Sequence, residues 1–369
     1  MPSVIDAPAS YLVVGGFING RGKTRITLSR TINVAATTAP PAERGAKLFI
    51  VDNAGTRYAL TEQSSGYYLS DSLLLNPARQ YQLRITTAGA AAATYESDLV
   101  PLKITPPMQF GWVRQNGEMD FRLSTSDPTG QSRFYRWRVT ETWEFNSAYK
   151  SVLQYRGGII QPRITPIYTC WHTDRQTTIN QRSTAQLSQD AIPNLQMLHY
   201  SDHDERFKIR YSVLMSQYAE TAEEFAYLEI LRKNTEAVGG LNDPLPAPLT
   251  GNVHRVGTNT NEPVLGFVSA HTLEQKRIFI TPADMSLPAG WVFDNPYAAC
   301  ADVIEPVPDP RDNWPNIIYI PQTRNFTELT YVPVDYTRDS YGNPNGYLGS
   351  TRDCVDCRTR GSNVKPSFW

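Results

Sequence analysis

The feature that most constrains this chain is its punctuation: 27 prolines and 23 glycines are spread along 369 residues, so turns recur throughout. Between them lie short segments rich in tyrosine, threonine and β-branched residues, which suit pleated, half-buried surfaces. Such segments run over Tyr11–Ile18, Arg25–Thr31 and Lys47–Asp52. After the turn Asp52-Asn53-Ala54-Gly55 they continue over Tyr58–Leu60, Gly66–Leu69, Tyr81–Thr86 and Tyr95–Leu102. This spacing predicts an antiparallel sandwich, Ig-like or transthyretin-like, over residues 11–105. Residues 1–10 carry proline and alanine without pattern and read as an extended lead-in. Ile104-Thr105-Pro106-Pro107 cannot continue a ladder, because proline donates no hydrogen bond, and marks a domain boundary.

Residues 107–369 read as a larger β-rich domain. Phe110–Val113 and Met119–Leu123 flank the turn Asn116-Gly117. Phe134–Trp143 alternates apolar with polar positions, and Arg133, Arg136 and Arg138 read as its solvated face. Gly15-Gly16 reads as a bulge. One short helix is expected over 221–235. Thr221-Ala222-Glu223-Glu224 forms a capping box, in which Glu224 would reach back to the Thr221 amide, and Gly239-Gly240 ends the element. The fold class is therefore all-β, mainly antiparallel.

Lys and Arg number 35 against 36 Asp and Glu, a formal net charge of −1, which leaves no basic excess to neutralise a phosphate backbone and excludes a dedicated nucleic-acid binder. No run of roughly 18 apolar residues occurs, so no bilayer-spanning helix is expected. The first residues lack a secretory leader, and we read Met1 as standing in for one.

Cys170, Cys300, Cys354 and Cys357 allow three pairings. A redox pair at Cys354-Val355-Asp356-Cys357 would need a helix after it, and the following residues have no helical period. A four-thiolate zinc site usually needs two close pairs, whereas Cys170 and Cys300 are singletons. Structural disulfides tying the tail to Cys170 and Cys300 are favoured over free thiols, and they imply an oxidising compartment. The apolar end, Phe368-Trp369, is expected to be pinned into the body.

His199 and His203, beside Asp202, Asp204 and Glu205, have the spacing of two metal ligands on a helix, but their segment reads as a loop; solvated histidines are the simpler reading. No nucleophile elbow and no phosphate loop occur, and no cofactor is expected. Asn325-Phe326-Thr327 matches a glycosylation sequon, a pattern common by chance. The abundant tyrosines offer flat amphipathic contacts for proteins or glycans, although filling strand faces accounts for most of them.

Several blocks resemble one family over nearly the whole chain. They are Tyr11–Ile18 with Leu28–Thr31, Cys170-Trp171, Tyr211–Tyr218 through Gly251-Asn252-Val253, Val264–Phe267 and Lys276–Ile280. The most specific is the end, Cys354-x-Asp356-Cys357-Arg358 followed by Gly361, Asn363, Lys365-Pro366 and Phe368-Trp369. These residues are similar to the family catalogued as the domain of unknown function DUF4249, found in Gram-negative bacteria of the Bacteroides group. The resemblance implies an exported lipoprotein at the cell-surface side of the outer membrane. It also implies a non-catalytic binding or docking role beside a TonB-dependent β-barrel transporter. Two alternatives stand next to it: a secreted metal-assisted hydrolase using His199 and His203, and an adhesin or glycan-binding protein.

Overall fold

Alternation builds the first unit. Its strands are β1 (Leu12–Asn19), β2 (Arg21–Arg30), β3 (Lys47–Asp52), β4 (Arg57–Ser64), β5 (Tyr67–Leu74), β6 (Gln80–Thr86), β7 (Thr94–Ser97) and β8 (Val100–Pro101). They pair in the order β7-β6-β3-β4-β5-β2-β1, with β8 on β6. Leu12, Val14 and Ile18 of β1 share one core with Leu83 and Ile85 of β6, although four strands separate them, so the sheet must fold over on itself. Each such side chain contributes about 1.5–3 kcal/mol on burial. Gly15 and Gly16 keep unbroken register against Thr27 and Ile26, so no bulge forms there. This computed structural model describes residues 10–32, 37–89, 92–236, 249–257, 261–306, 326–327 and 329–369. The lead-in before Ser10, the Gly239-Gly240 stop and Asn325 of the sequon lie outside them.

The second unit contains β9 (Met108–Gln115), β10 (Glu118–Ser126), β11 (Phe134–Asn146), β12 (Leu153–Arg156), β13 (Ile159–Pro162), β14 (Thr169–Arg175), β15 (Asn180–Ser183), β16 (Ala191–Ser201), β17 (Arg210–Glu220) and the helix α1 (Ala222–Glu236). One sheet runs β16-β10-β9 and another β14-β11-β17, with β15 also on β11. Met119, Phe121 and Leu123 of β10 pack against Tyr135, Trp137 and Val139 of β11 and Tyr211, Val213 and Met215 of β17. Helix α1 follows β17 directly, and its cap forms only half of the expected box. The Thr221 hydroxyl accepts from the Glu224 amide at 3.2 Å, whereas the Glu224 carboxylate turns away to Arg136 and Ser269.

The chain then returns to the first unit, which corrects the assignment of all residues from 107 onward to the second. Strand β18 (Val253–Val256) pairs with β7, and β19 (Ala270–His271) pairs parallel to the end of β1. Val253, Val264, Val268 and Ala270 complete the first core. Gly266 makes this possible: its φ is 126°, and a Cβ there would lie 2.0 Å from the Val14 carbonyl oxygen. Short apolar runs carry no mark of which distant strand they will join, so alternation alone places them in the wrong unit. Strand β20 (Leu273–Ile280) leads back to the second unit beside β17. The linker at 104–107 is a bonded seam: Thr105 Oγ1 donates to the Thr272 carbonyl at 2.5 Å, and Gln217 donates to the Pro106 carbonyl at 2.8 Å.

Last come β21 (Val303–Pro306), β22 (Tyr331–Arg338) and β23 (Pro344–Thr351), in the order β21-β23-β22, and the one-turn helix α2 (Arg352–Val355). Val332, Val334, Cys354 and Val355 form a small core with Ile167. Antiparallel strands thus dominate, as the alternation predicts.

A tail-braced cleft and a buried ionic junction

The final residues bind back to the second unit at almost every step. Cys357 is joined to Cys170 of β14 and Cys354 to Cys300, with Cα–Cα distances of 5.6 and 5.8 Å. Asp356 accepts from the Arg358 amide at 3.0 Å and from its guanidinium at 2.8 and 2.9 Å. Burial would raise the Asp356 carboxyl, but these bonds hold it below the usual carboxylate range. Arg360 lies over the Phe145 ring and pairs with Glu205. A Cβ on Gly361 would sit 2.6 Å from the Trp171 carbonyl oxygen and 2.9 Å from the Phe145 ring, so a glycine is needed where Trp171 and Ser362 exchange backbone hydrogen bonds. Asn363 donates to the Pro166 carbonyl at 3.0 Å, and Trp369 N–H donates back to the Pro366 carbonyl at 3.1 Å. The Trp369 indole donates to Glu144 at 3.1 Å and meets Phe279 edge-on at 5.8 Å. The Arg277 guanidinium covers the Phe368 ring at 3.6 Å. Lys365 alone of the motif faces solvent without such a contact among the described residues.

What this bracing holds in place is a cleft of about 480 Å³, within the ordinary size range of ligand pockets. Its walls are the end of β11 with the following loop, residues 205–209, and residues 294–300. Glu144 is tied to Trp369, Glu205 to Arg360, and Cys300 to Cys354, so each wall is anchored to the tail. A one-turn 3-10 helix, Glu205–Phe207, is capped by Asp204, which accepts from the Arg206 amide at 2.9 Å. Arg206 reaches buried Glu141 at 3.0 Å, where Tyr211 and Tyr200 also donate at 2.7 and 3.0 Å. The third wall hangs on His203, whose Nδ1 lies 2.6 Å from the Val292 carbonyl and whose own carbonyl accepts from the Asp294 amide at 2.7 Å.

His199 and His203 therefore serve different neighbours. His199 is exposed on β16, 2.7 Å from Asp120, and this hydrogen bond holds its imidazole above the usual range. His203 stacks on Trp291 at 4.0 Å. Among the described residues no group of three His, Cys, Asp or Glu side chains is placed to hold a metal ion.

A second constellation joins the two units, and sequence spacing gives no sign of it. Arg136, expected on a solvated face, is covered by α1; it pairs with buried Glu220 and reaches Glu224 at 3.4 Å. Phe134 against Phe225, at 5.1 Å, holds the helix over that strand. Gln181 donates to Glu220 at 2.6 Å. His271 of β19 is fully buried, stacks on Phe17 of β1 at 4.1 Å, and lies 3.8 Å from the Glu224 carboxylate. Tyr218 closes the joint, edge-on to His271 at 5.3 Å and under the Arg136 guanidinium at 4.3 Å. Burial, then the neighbouring Glu224, pushes the Glu220 carboxyl up to about 7. Burial pushes Glu224 the same way, but His271 and Arg136 outweigh it and hold Glu224 below the ordinary range.

The sequence profile described as "Domain of unknown function (DUF4249)" matches residues 1–277. No curated protein matches the chain. Among solved structures, the chain is similar to a DUF4785 family protein from Legionella pneumophila, at 10% identity over 56% of this chain and 51% of that one, with a TM-score of 0.20. It is also similar to DIP-gamma IG1+IG2, at 10% identity over 71% of this chain and 99% of that one, TM-score 0.17. A third is chitinase ChiA74 from Bacillus thuringiensis, at 9% identity over 53% and 30%, TM-score 0.15. The chain thus spans about half the length of the first of these, and likeness at such scores carries no argument.

Proposed function

The chain belongs to the DUF4249 family, and from that premise we propose that it is a surface-exposed outer-membrane lipoprotein acting as a non-catalytic binding and docking accessory of a TonB-dependent transporter. The observation that carries this reading is the polarity of the molecule. Strand β1 starts beside Arg30, whose guanidinium contacts the Ser10 carbonyl at 3.4 Å and the Glu43 carboxylate at 2.6 Å. It ends at the joint with the second unit, where Asn19 pairs with His271. A lipid tether entering before Ser10 would thus reach the pole of the first unit that faces away from the second. Eight residues of strand at about 3.3 Å each would then set the second unit, with its braced cleft, roughly 26 Å further from the membrane.

The two disulfides add support, because such bonds persist in oxidising, exported settings. Affinity purification of the tagged native protein from detergent-solubilised outer membranes tests the reading. A stoichiometric β-barrel transporter in the eluate is the expected result; recovery of the lipoprotein alone, under conditions that preserve other membrane complexes, overturns it.

A further inference from the structure

The cleft held by the tail has a chemistry of its own. Three half-buried tyrosines, Tyr149, Tyr168 and Tyr297, line it together with Asn146, Asn295 and Asp294. Of their polar atoms, several are already used inside the protein. Asn146 Oδ1 accepts from Thr169 at 2.8 Å, Asn295 Oδ1 accepts from the Tyr297 amide at 3.1 Å, and the Tyr149 hydroxyl faces the Cys300 carbonyl at 3.5 Å. Among the described residues, the two side-chain amide nitrogens, the Tyr168 hydroxyl and the Asp294 carboxylate have no side-chain hydrogen bond. Donors and acceptors are therefore interleaved around the cleft.

Charge narrows the choice of ligand. Glu205 is neutralised by Arg360, whereas Glu144 keeps its charge while accepting from the neutral Trp369 indole, so two acids, Glu144 and Asp294, stand with Lys208 in the same lining. Two acids against one lysine repel an anionic ligand and leave too little net charge to hold a strongly cationic one, and the mixed polar surface does not suit a lipid chain. A neutral polyhydroxylated ligand matches instead. Each hydroxyl both donates and accepts, as carboxylate and amide neighbours require, and the C–H face of a pyranose suits an aromatic ring such as Tyr168, whose hydroxyl has no side-chain partner among the described residues. Walls fixed by covalent and ionic ties need no ordering when the ligand arrives.

We infer that the cleft bounded by Tyr149, Tyr168 and Tyr297 is a binding site for a neutral oligosaccharide. This deepens the reading above, since it names what a surface accessory would present to its transporter. The test is affinity electrophoresis and titration calorimetry of the intact, disulfide-bonded chain with soluble starch, xylan, mannan and mixed-linkage β-glucan as neutral probes, and with pectin and polylysine as charged ones. At least one neutral probe should retard the protein. Tyr168→Ala should weaken that binding at least about tenfold, with Tyr168→Phe between it and the wild type, and with thermal midpoints unchanged in both. Binding to none of the neutral probes, stronger binding to pectin or polylysine, or equal binding by Tyr168→Ala overturns the inference. Co-isolation of a barrel by Tyr168→Ala separates the two claims: a variant that loses sugar but keeps the barrel leaves docking intact, whereas a wild type that binds sugar without any barrel removes docking alone.

Discussion

The tail and the junction perform one task by opposite physical means. The tail is covalent: two disulfides, a forced close approach at Gly361 and aromatic contacts fasten the last residues to the walls of the cleft. The junction is ionic: one guanidinium serves two buried carboxylates beside a buried imidazole, where the two units meet. A covalent brace is indifferent to protons and salt but yields to reductant. A buried ionic joint resists screening, yet each member depends on the protonation of the others. The cleft therefore should survive a rise in pH through about 7 better than the arrangement of the two units does.

The largest effects come from breaking the brace itself. The Cys170–Cys357 bridge spans 187 residues, and in the chain-entropy treatment a loop of that length is worth about 5 kcal/mol. Replacing both cysteines by serine should lower the denaturant midpoint accordingly, and added reductant should then change it only through the remaining Cys300–Cys354 pair. At the junction, Arg136→Met leaves Glu220 and Glu224 buried against each other and should cost about 3–5 kcal/mol by equilibrium unfolding. Adding Glu220→Gln and Glu224→Gln to that variant should recover much of the loss. A triple variant no more stable than Arg136→Met would show that the guanidinium acts through packing rather than charge.

A third change separates shape from charge. Gly361→Ala forces a methyl against the Trp171 carbonyl and the Phe145 ring, neither of which can yield cheaply, and should cost about 1–3 kcal/mol in thermal unfolding. The junction should be untouched by it, so the loss should be the same at acid and neutral pH.

The brace was far more legible than the junction, for a physical reason. Covalent and steric devices leave residue types that few other roles require: an even set of cysteines, a glycine, a terminal Phe368-Trp369. Strand alternation was equally visible, as in β10, where Met119, Phe121, Leu123 and Thr125 are the buried positions. The junction draws Phe17, Arg136, the Glu220–Glu224 stretch and His271 from four separate segments, each ordinary in its local setting. Glu224 in particular sits where a capping box predicts it, and only the returning strand β19 shows that its carboxylate belongs elsewhere. The cleft was hidden for the same reason, since Tyr149, Tyr168 and Tyr297 approach through loops rather than a spaced motif.

The smallest expected effect is a slope, and it discriminates best between the two devices. Glu220 binds its proton more tightly folded than unfolded, so its contribution is complete below the ordinary carboxylate range and is lost as pH rises through about 7. Asp356 in the tail is shifted the other way, so its contribution is complete at neutral pH and is lost only as pH falls below that range. Between about pH 5 and pH 8 the tail should therefore contribute a constant amount while the junction weakens. Thermal midpoints of the wild type and of Glu220→Gln, measured across that window, should show the wild type falling relative to the variant as pH rises, because only the wild type loses a bound proton. Parallel curves would mean that Glu220 is already ionised at pH 5 and that Arg136 pairs with two full charges, in which case the joint is as insensitive to protons as the disulfides that hold the tail.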